Sequence, residues 1–379
     1  MTADNDYFIA CRFEEPCPSV EAYRGKHAVK SQAFFEEVRA QQTAKMPPDW
    51  DYRPLKIEVE TTDGCNQGCK HCGMSSRPIK DCSYLPREIL LSLPDQLHSL
   101  GIPGISITGG EPFAALPQLL DLLSECRGKV DVVKLTTNAY WANTLESAKS
   151  NLRLLADRGL VDSSLFRPVL MLSIGEQKVP LQNIVNAVVA AQRLFDDRTL
   201  AVCISSLSLC SGDDRIPELE RSYQIAVGKN LDWDTVFLTK RTYIAAGRAL
   251  LDKDLPRREI PIHKMIKERG CFRQTVGAVV VPTPLIKVDG NVFTCSVFGM
   301  PRELLLGNIQ EMTLFELLTA ANENSIVRTI LRGSLPALGQ QVPDHKLDGV
   351  VADNFHEACW RLISLHQNSG SECSCSSSS

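Results

Sequence analysis

Cys65, Cys69 and Cys72 stand in a C-x3-C-x2-C run within Thr61–Met74, TTDGCNQGCKHCGM. Three thiolates on one short loop can cap three irons of a [4Fe–4S] cube and leave the fourth iron without a protein ligand. A structural iron–sulfur site normally recruits a fourth cysteine. A tetrahedral zinc site also takes four ligands, usually from two separated cysteine hooks. The count of three therefore points to a metal centre with one position open to a non-protein ligand. Zinc, or three unrelated cysteines, is the alternative.

A second constellation follows in Ser106-Ile107-Thr108-Gly109-Gly110-Glu111-Pro112. Paired glycines let a backbone approach a ligand closely, and Glu111 can accept from an ammonium group. A Gly-Gly-Glu tripeptide alone is most often a turn; its place one strand–helix unit after the cysteines gives it weight. Together the two motifs resemble the radical S-adenosylmethionine (SAM) superfamily. The resemblance implies that Cys65, Cys69 and Cys72 are the catalytic metal ligands of a [4Fe–4S] cluster whose open iron chelates the amino and carboxylate groups of SAM. It implies that Gly109, Gly110 and Glu111 bind the SAM amino group. The reduced cluster then breaks a carbon–sulfur bond of the sulfonium, with an external electron donor of flavodoxin or ferredoxin type. It further implies SAM contacts from Thr137 and Asn138, which close Leu135-Thr136-Thr137-Asn138, and from Ser173 in Met171-Leu172-Ser173-Ile174. Two positions depart from the family: His71 stands where an aromatic residue is usual, and Ala139 where glycine is. By residue type alone, Thr137, Asn138 and Ser173 can equally cap the helices that follow them. Lys240-Arg241 can hold a carboxylate substrate, or form a solvated basic pair.

Further cysteines lie downstream. Ile286–Cys295, with its Asp289-Gly290-Asn291 turn, reads as a hairpin. With Cys271 before it and Leu306-Gly307-Asn308-Ile309 after it, the region resembles the SPASM/twitch extensions of radical SAM enzymes, which hold auxiliary iron–sulfur clusters. The dense cysteine run of that family is missing. Cys271, Cys295 and Cys359 remain as ligands for a second cluster or another soft-metal site, unless the extension binds nothing. Cys373 and Cys375 form a C-x-C pair in a Ser-rich tail, able to chelate a soft ion or to do nothing. Cys126 and Cys203 lie in apolar surroundings and read as core residues, while Cys11, Cys17, Cys82 and Cys210 carry no usable spacing.

The elements that must position these residues are legible from about residue 55. Leu55–Glu60 alternates apolar and polar residues, as a strand feeding the cysteine loop would. Strands are expected over 55–61, 104–109, 131–137, 168–174, 199–206 and 234–239, and helices over 86–99, 115–126, 143–158, 181–196, 214–228 and 241–251. Apolar runs such as Val169-Leu170-Met171-Leu172 suit a parallel sheet covered by helices. The expected fold is α/β: a partial (β/α)6 TIM-like barrel with a small α+β C-terminal extension, its chemistry on the loops after the strands. A doubly wound open sheet is the runner-up. The expected divisions are a helical N-terminal extension over 1–50, peripheral to the barrel and helical over 27–46; the barrel over 51–255; the extension over 256–368; and a flexible tail over 369–379.

The chain has 379 residues and a net charge of −4, which gives no nucleic-acid footprint. No apolar run approaches the ~20 residues of a membrane span, and the acidic N-terminus lacks the pattern of a signal peptide. Fourteen cysteines suggest metal binding in a reducing cytoplasm. The resemblance thus implies an enzyme that reductively cleaves SAM and uses the resulting carbon radical on a peptide or small-molecule substrate. The residues before the first strand are too few for the ~80-residue leader-binding domain of many peptide modifiers, a typical domain size, which favours a small substrate or a peptide recognised otherwise. One alternative is an arsenic-directed enzyme of the arsinothricin-biosynthesis type, transferring the 3-amino-3-carboxypropyl group of SAM to thiol-bound As(III). Another is a non-catalytic iron–sulfur or metalloid carrier, for which Gly109-Gly110-Glu111 would have no use.

Overall fold

The computed structural model describes residues 37–370, apart from 71, 163–167, 175–178, 197–198, 208–214, 234, 242–258, 267–274, 277–278, 281, 297–299 and 353–354. Six parallel strands lie side by side in chain order: β1 (Lys56–Glu60), β2 (Gly104–Thr108), β3 (Val132–Thr137), β4 (Val169–Ile174), β5 (Ala201–Leu207) and β6 (Val236–Arg241). The crossovers between them carry α1 (Arg87–Leu100), α2 (Leu116–Cys126), α3 (Leu145–Asp157), α4 (Leu181–Leu194) and α5 (Ile216–Val227). Consecutive order with crossovers of one hand keeps the helices on one face, which is barrel winding; a doubly wound sheet reverses its strand order midway. The expected helix over 241–251 begins on the last residue of β6 and otherwise lies outside the described residues.

Local chemistry sets the boundaries. Thr144 and Ser147 form a reciprocal capping box at the start of α3, and α1 stops at Gly101, whose φ of +65° suits glycine. Ile57 and Val59 of β1 and Ile105 and Ile107 of β2 belong to the main apolar core. The alternating residues point to the other face, the barrel interior. There the sheet is polar as well as buried: Lys56, Glu60, Ser106 and Lys134 are all 2% exposed or less.

The C-terminal part completes this sheet. β7 (Leu285–Ile286) pairs in parallel with the outer edge of β1, and β8 (Asn291–Phe293) and β9 (Leu305–Asn308) follow antiparallel. The nine strands run β9-β8-β7-β1-β2-β3-β4-β5-β6, so the barrel is not closed. The expected hairpin is β7–β8. Its turn is held by Gly290 at φ +84° and by Asn308, whose amide donates to the Asp289 carbonyl at 3.1 Å. Gly307-Asn308-Ile309 thus brace a turn. Helices α6 (Leu314–Glu323), α7 (Ser325–Gly339) and α8 (Phe355–Gly370) pack beyond the ribbon.

The region before β1 is not peripheral where it is described. A helical run over 37–45 buries Val38, and Met46 and Trp50 are buried behind it. The Arg53 guanidinium donates to the carbonyls of Pro47, Pro48 and Trp50 at 2.9 Å, adding to the turn's own bond from Trp50 N–H to the Pro47 carbonyl at 3.2 Å. Tyr52 is fully buried; its hydroxyl donates to the Thr294 carbonyl and its N–H to Asn322 of α6. Apolar residues gathered ahead of the barrel seal the end of the ribbon, which the amphipathic pattern alone did not reveal. No helix among the described residues is long and apolar enough to cross a membrane.

Candidate metal and cofactor site

The cysteine loop rises from the C-terminal end of β1, and backbone contacts shape it on two sides. The short strand Gly64–Cys65 pairs in parallel with Arg77–Pro78, closing the loop on itself. Asp63 secures the base: its N–H donates to the Ser83 carbonyl at 3.3 Å and its carboxylate accepts from the Ser83 N–H at 2.7 Å. Cys65, Cys69 and Cys72 are all half-buried. Cys65 Sγ accepts from the Gln67 N–H at 3.3 Å and faces Asn138 Nδ2 at 3.8 Å. The Cys69 thiol donates to Gln67 Oε1 at 3.2 Å, and Cys72 Sγ lies 3.5 Å from the Ser76 hydroxyl. Burial pushes the Cys65 thiol up to about 11 against the pull of the Gln67 N–H, with the Glu111 charge adding to the rise. Metal binding must therefore displace a proton there.

The Gly-Gly-Glu stretch docks on this loop. Gly110 N–H donates to the Thr62 carbonyl at 2.7 Å and Glu111 N–H to the Gly64 carbonyl at 2.8 Å. A Cβ on Gly109, at φ +141°, would lie 2.5 Å from the Thr62 carbonyl oxygen. A Cβ on Gly110 would overlap the Gly64 carbonyl oxygen and lie 2.5 Å from its carbon. The close approach that these glycines permit is therefore to the cysteine loop itself.

Glu111 is 1% exposed, and both its oxygens are engaged. Oε1 accepts from the Thr137 hydroxyl at 2.7 Å and the Phe113 N–H at 3.2 Å; Oε2 accepts from the Asn138 N–H at 2.7 Å. Burial pushes the carboxyl up to about 7, while the Asn138, Thr137 and Phe113 donors pull the other way. Thr137 Oγ1 in turn accepts from the Ala139 N–H and the Trp141 indole, and Trp141 stacks on Phe113 at 4.5 Å. Asn138 Nδ2 also donates to Asn66 at 2.9 Å, tying the end of β3 to the cysteine loop. Ala139 holds φ +60°, the left-handed conformation that a glycine would adopt freely. Helix α3 is capped by Thr144 and α4 follows Pro180, so neither of these helices is capped by Thr137, Asn138 or Ser173.

Ser173 lies near the end of β4, on the face opposite Leu172 and Ile174, in register with Ser205 of β5. Lys240 and Arg241 are the last residues of β6. Two groups in the barrel interior escaped the sequence reading. Glu60 is 1% exposed; its Oε2 accepts from the Val288 N–H at 3.3 Å and its Oε1 has no partner. Burial pushes its carboxyl up to about 8, opposed first by Lys287. The Ser106 hydroxyl is buried and also without a partner. The only available signal was an ionisable residue at an inward position of a parallel strand. Cys82 is a third omission: its thiol lies 2.7 Å from where a Gly64 Cβ would be. Its hydrogen bond with the Tyr84 phenol raises that phenol above its usual range.

The downstream cysteines are placed only in part. Cys359 is 2% exposed within the main core, and Cys295 is half-buried against the same core. Cys126 and Cys203 are buried as expected. Cys271, Cys373 and Cys375 lie outside the described residues, as do Cys11, Cys17, Cys210 and His71. Among the described residues, no three His, Cys, Asp or Glu side chains converge on one point as a single ion would require. The donor set of the loop fits a [4Fe–4S] centre: three thiols, each with a polar neighbour, and a buried Gln67 Nε2 still without a partner.

Residues 59–179 match the family model of the radical SAM superfamily. GTP 3',8-cyclase of Acidothermus cellulolyticus is 30% identical over 153 residues, covering 37% of this chain and 40% of that protein. GTP 3',8-cyclase of Staphylococcus carnosus is 35% identical over 95 residues, covering 23% of this chain and 28% of that protein. The match therefore spans less than half the length of these relatives. Among solved structures, BtrN in complex with AdoMet and 2-DOIA aligns with a TM-score of 0.45 and 16% identity over 76% of this chain and 91% of that one. Streptococcus suis SuiB bound to precursor peptide SuiA aligns with a TM-score of 0.39 and 14% identity over 86% and 77%.

Proposed function

Because residues 59–179 form a radical SAM superfamily domain, we propose that this protein is a radical SAM enzyme acting on a polar small molecule or peptide. Cys65, Cys69 and Cys72 hold one [4Fe–4S] cluster, and SAM binds beside it at the mouth of the barrel. When bound, the pair supplies one-electron cleavage of a sulfonium carbon–sulfur bond, chemistry that belongs to the cofactors while the protein orients and shields them. The electron comes from an external flavodoxin- or ferredoxin-type donor.

The observation that carries this reading is the docking of Gly109-Gly110-Glu111 on Thr62–Gly64 by two backbone hydrogen bonds. A carrier would have no need to lock a second strand's loop onto its metal loop. Glu111 acts mainly as a bracket: it fixes Thr137 and Asn138, and with Gly109 and Gly110 shapes the wall that receives the SAM amino group. Asn138 faces both the loop and the cofactor, and Ser173 lines the same mouth. Glu60 and Ser106, buried in the interior with unpartnered atoms, favour a substrate that brings hydrogen-bonding groups of its own. Cys359 lies within the core and Cys295 half-buried against it; the reading takes the one cluster of the cysteine loop.

Anaerobic reconstitution, reduction and incubation with SAM test the proposal. The wild type should bind about four irons per chain, the content of one [4Fe–4S] cluster, and release 5′-deoxyadenosine or methylthioadenosine. Replacing Cys65, Cys69 and Cys72 together by Ala should abolish both. Undiminished SAM cleavage in that variant would refute the assignment. Iron that survives in it but disappears on Cys295→Ala would refute the single-cluster reading.

A further inference from the structure

Gln67 lies between two of the three loop cysteines and is 7% exposed. Its backbone N–H donates to Cys65 Sγ at 3.3 Å, and its Oε1 accepts from the Cys69 thiol at 3.2 Å. Its Nε2 is buried with no partner. This arrangement suits a protonated cysteine. A cysteine bound to iron has lost its proton, and Oε1 would then face an electron-rich sulfur with nothing to accept. Half a turn of the side-chain amide exchanges Oε1 for Nε2 and offers an N–H to the thiolate. The same turn replaces a buried unpaired N–H by a buried unpaired C=O, the more tolerable orphan.

We propose that Gln67 is a positioning residue that sets the reduction potential of the centre, by donating its side-chain N–H to the ligated sulfur of Cys69. The inference rests on the proposed function. A donor withdraws charge from the sulfur and stabilises the reduced centre more than the oxidised one, which raises the potential. Polar groups stand beside the other two sulfurs as well: Gln67 N–H and Asn138 Nδ2 at Cys65, and the Ser76 hydroxyl at Cys72.

The test compares wild type, Gln67→Met and Gln67→Glu after anaerobic reconstitution, each checked for iron and sulfide content and followed by EPR through a potentiometric titration. Met keeps the length and the backbone donor but removes the amide; Glu keeps the shape and offers only acceptors. The expected result is a midpoint more negative in the Met variant and more negative still in the Glu variant. A merely structural role would alter cluster content or stability without this ordered shift. Midpoints equal to wild type in loaded variants would overturn the inference. If the Met variant fails to load, the Glu variant decides in the same way; failure of both to load while the wild type loads would also overturn it, since Gln67 would then be needed for assembly. A wild type that binds no cluster would overturn the proposed function, a distinct outcome.

Discussion

Replacing Gly110 by Ala should separate the two halves of the site. The added methyl would overlap the Gly64 carbonyl oxygen and lie 2.5 Å from its carbon and 2.8 Å from the Asp63 carbonyl carbon. Those are backbone atoms of a loop anchored at Ser83 and at Arg77, so no side chain can swing aside. Relief requires the loops to part by about 1 Å, toward ordinary carbon–carbon contact near 3.5–4.0 Å. That distance breaks the hydrogen bonds from Gly110 N–H to Thr62 and from Glu111 N–H to Gly64. Each buried donor left without a partner costs about 1–3 kcal/mol. Restricting the unfolded chain returns only about 0.4–1 kcal/mol. The net loss is about 1–6 kcal/mol, a large share of a typical stability of about 5–15 kcal/mol. Urea denaturation of the metal-free protein measures it, and iron content after reconstitution reports the separation of the loops. Gly128→Ala is the control: it sits at φ +68° with nothing within 4 Å of its added methyl. It should cost about 1–2 kcal/mol of backbone strain alone and load iron normally. A Gly110→Ala protein within about 1 kcal/mol of wild type and fully loaded would refute the argument, because the docking would then carry no weight.

Other outcomes are expected. The folded Glu60 carboxyl keeps its proton up to about pH 8, against an ordinary value of 4.5, so the wild type loses stability from this group as pH rises through that window. Denaturation at pH 5, 6.5 and 8 should show Glu60→Gln gaining on wild type by up to about 1.4 kcal/mol per pH unit; a constant difference would contradict this. Cys82→Ala should retain full iron and sulfide, whereas loss of one iron's worth of ligation would make Cys82 a fourth ligand. Tyr52→Phe should cost about 1–3 kcal/mol in urea denaturation by leaving the buried Thr294 carbonyl without its donor; an unchanged midpoint would mean that the ribbon is held otherwise.

The strands and helices of the barrel were readable because parallel strands buried on both faces are apolar runs, and Val169-Leu170-Met171-Leu172 is buried throughout. The cysteine loop was readable as a candidate metal site because ligand chemistry fixes cysteine spacing over a few residues. What was not readable depends on contacts between distant segments. Local sequence could say that Gly109 and Gly110 permit a close approach, but not that Thr62 and Gly64 are what they approach. Glu111 could be read as a carboxylate available to a ligand; only the fold brings Thr137 and Asn138 onto both its oxygens. Cys82 had no spacing partner, since its neighbour Gly64 carries no side chain to signal it. Nothing in the sequence around Trp50 and Tyr52 marked them as anchors, because Asn322 and Thr294, the groups that receive Tyr52, lie far along the chain.

The pairing of β7 with β1 bears on how the protein is made. Glu58 is in register with Leu285 and Val59 with Ile286, across most of the chain. While the ribosome works through β2 to β6, the outer edge of the first strand stays open, its N–H and C=O groups facing water or another chain. An unsatisfied edge of this kind is a template for misassembly, and domains emerging from the ribosome grow by only about 5–20 residues each second. The interval of exposure is therefore on the order of ten seconds or more. Yield in a cell should thus depend on translation speed and holdase capacity more than a barrel with two local edges would, and the closing ribbon is the last seam to be sewn.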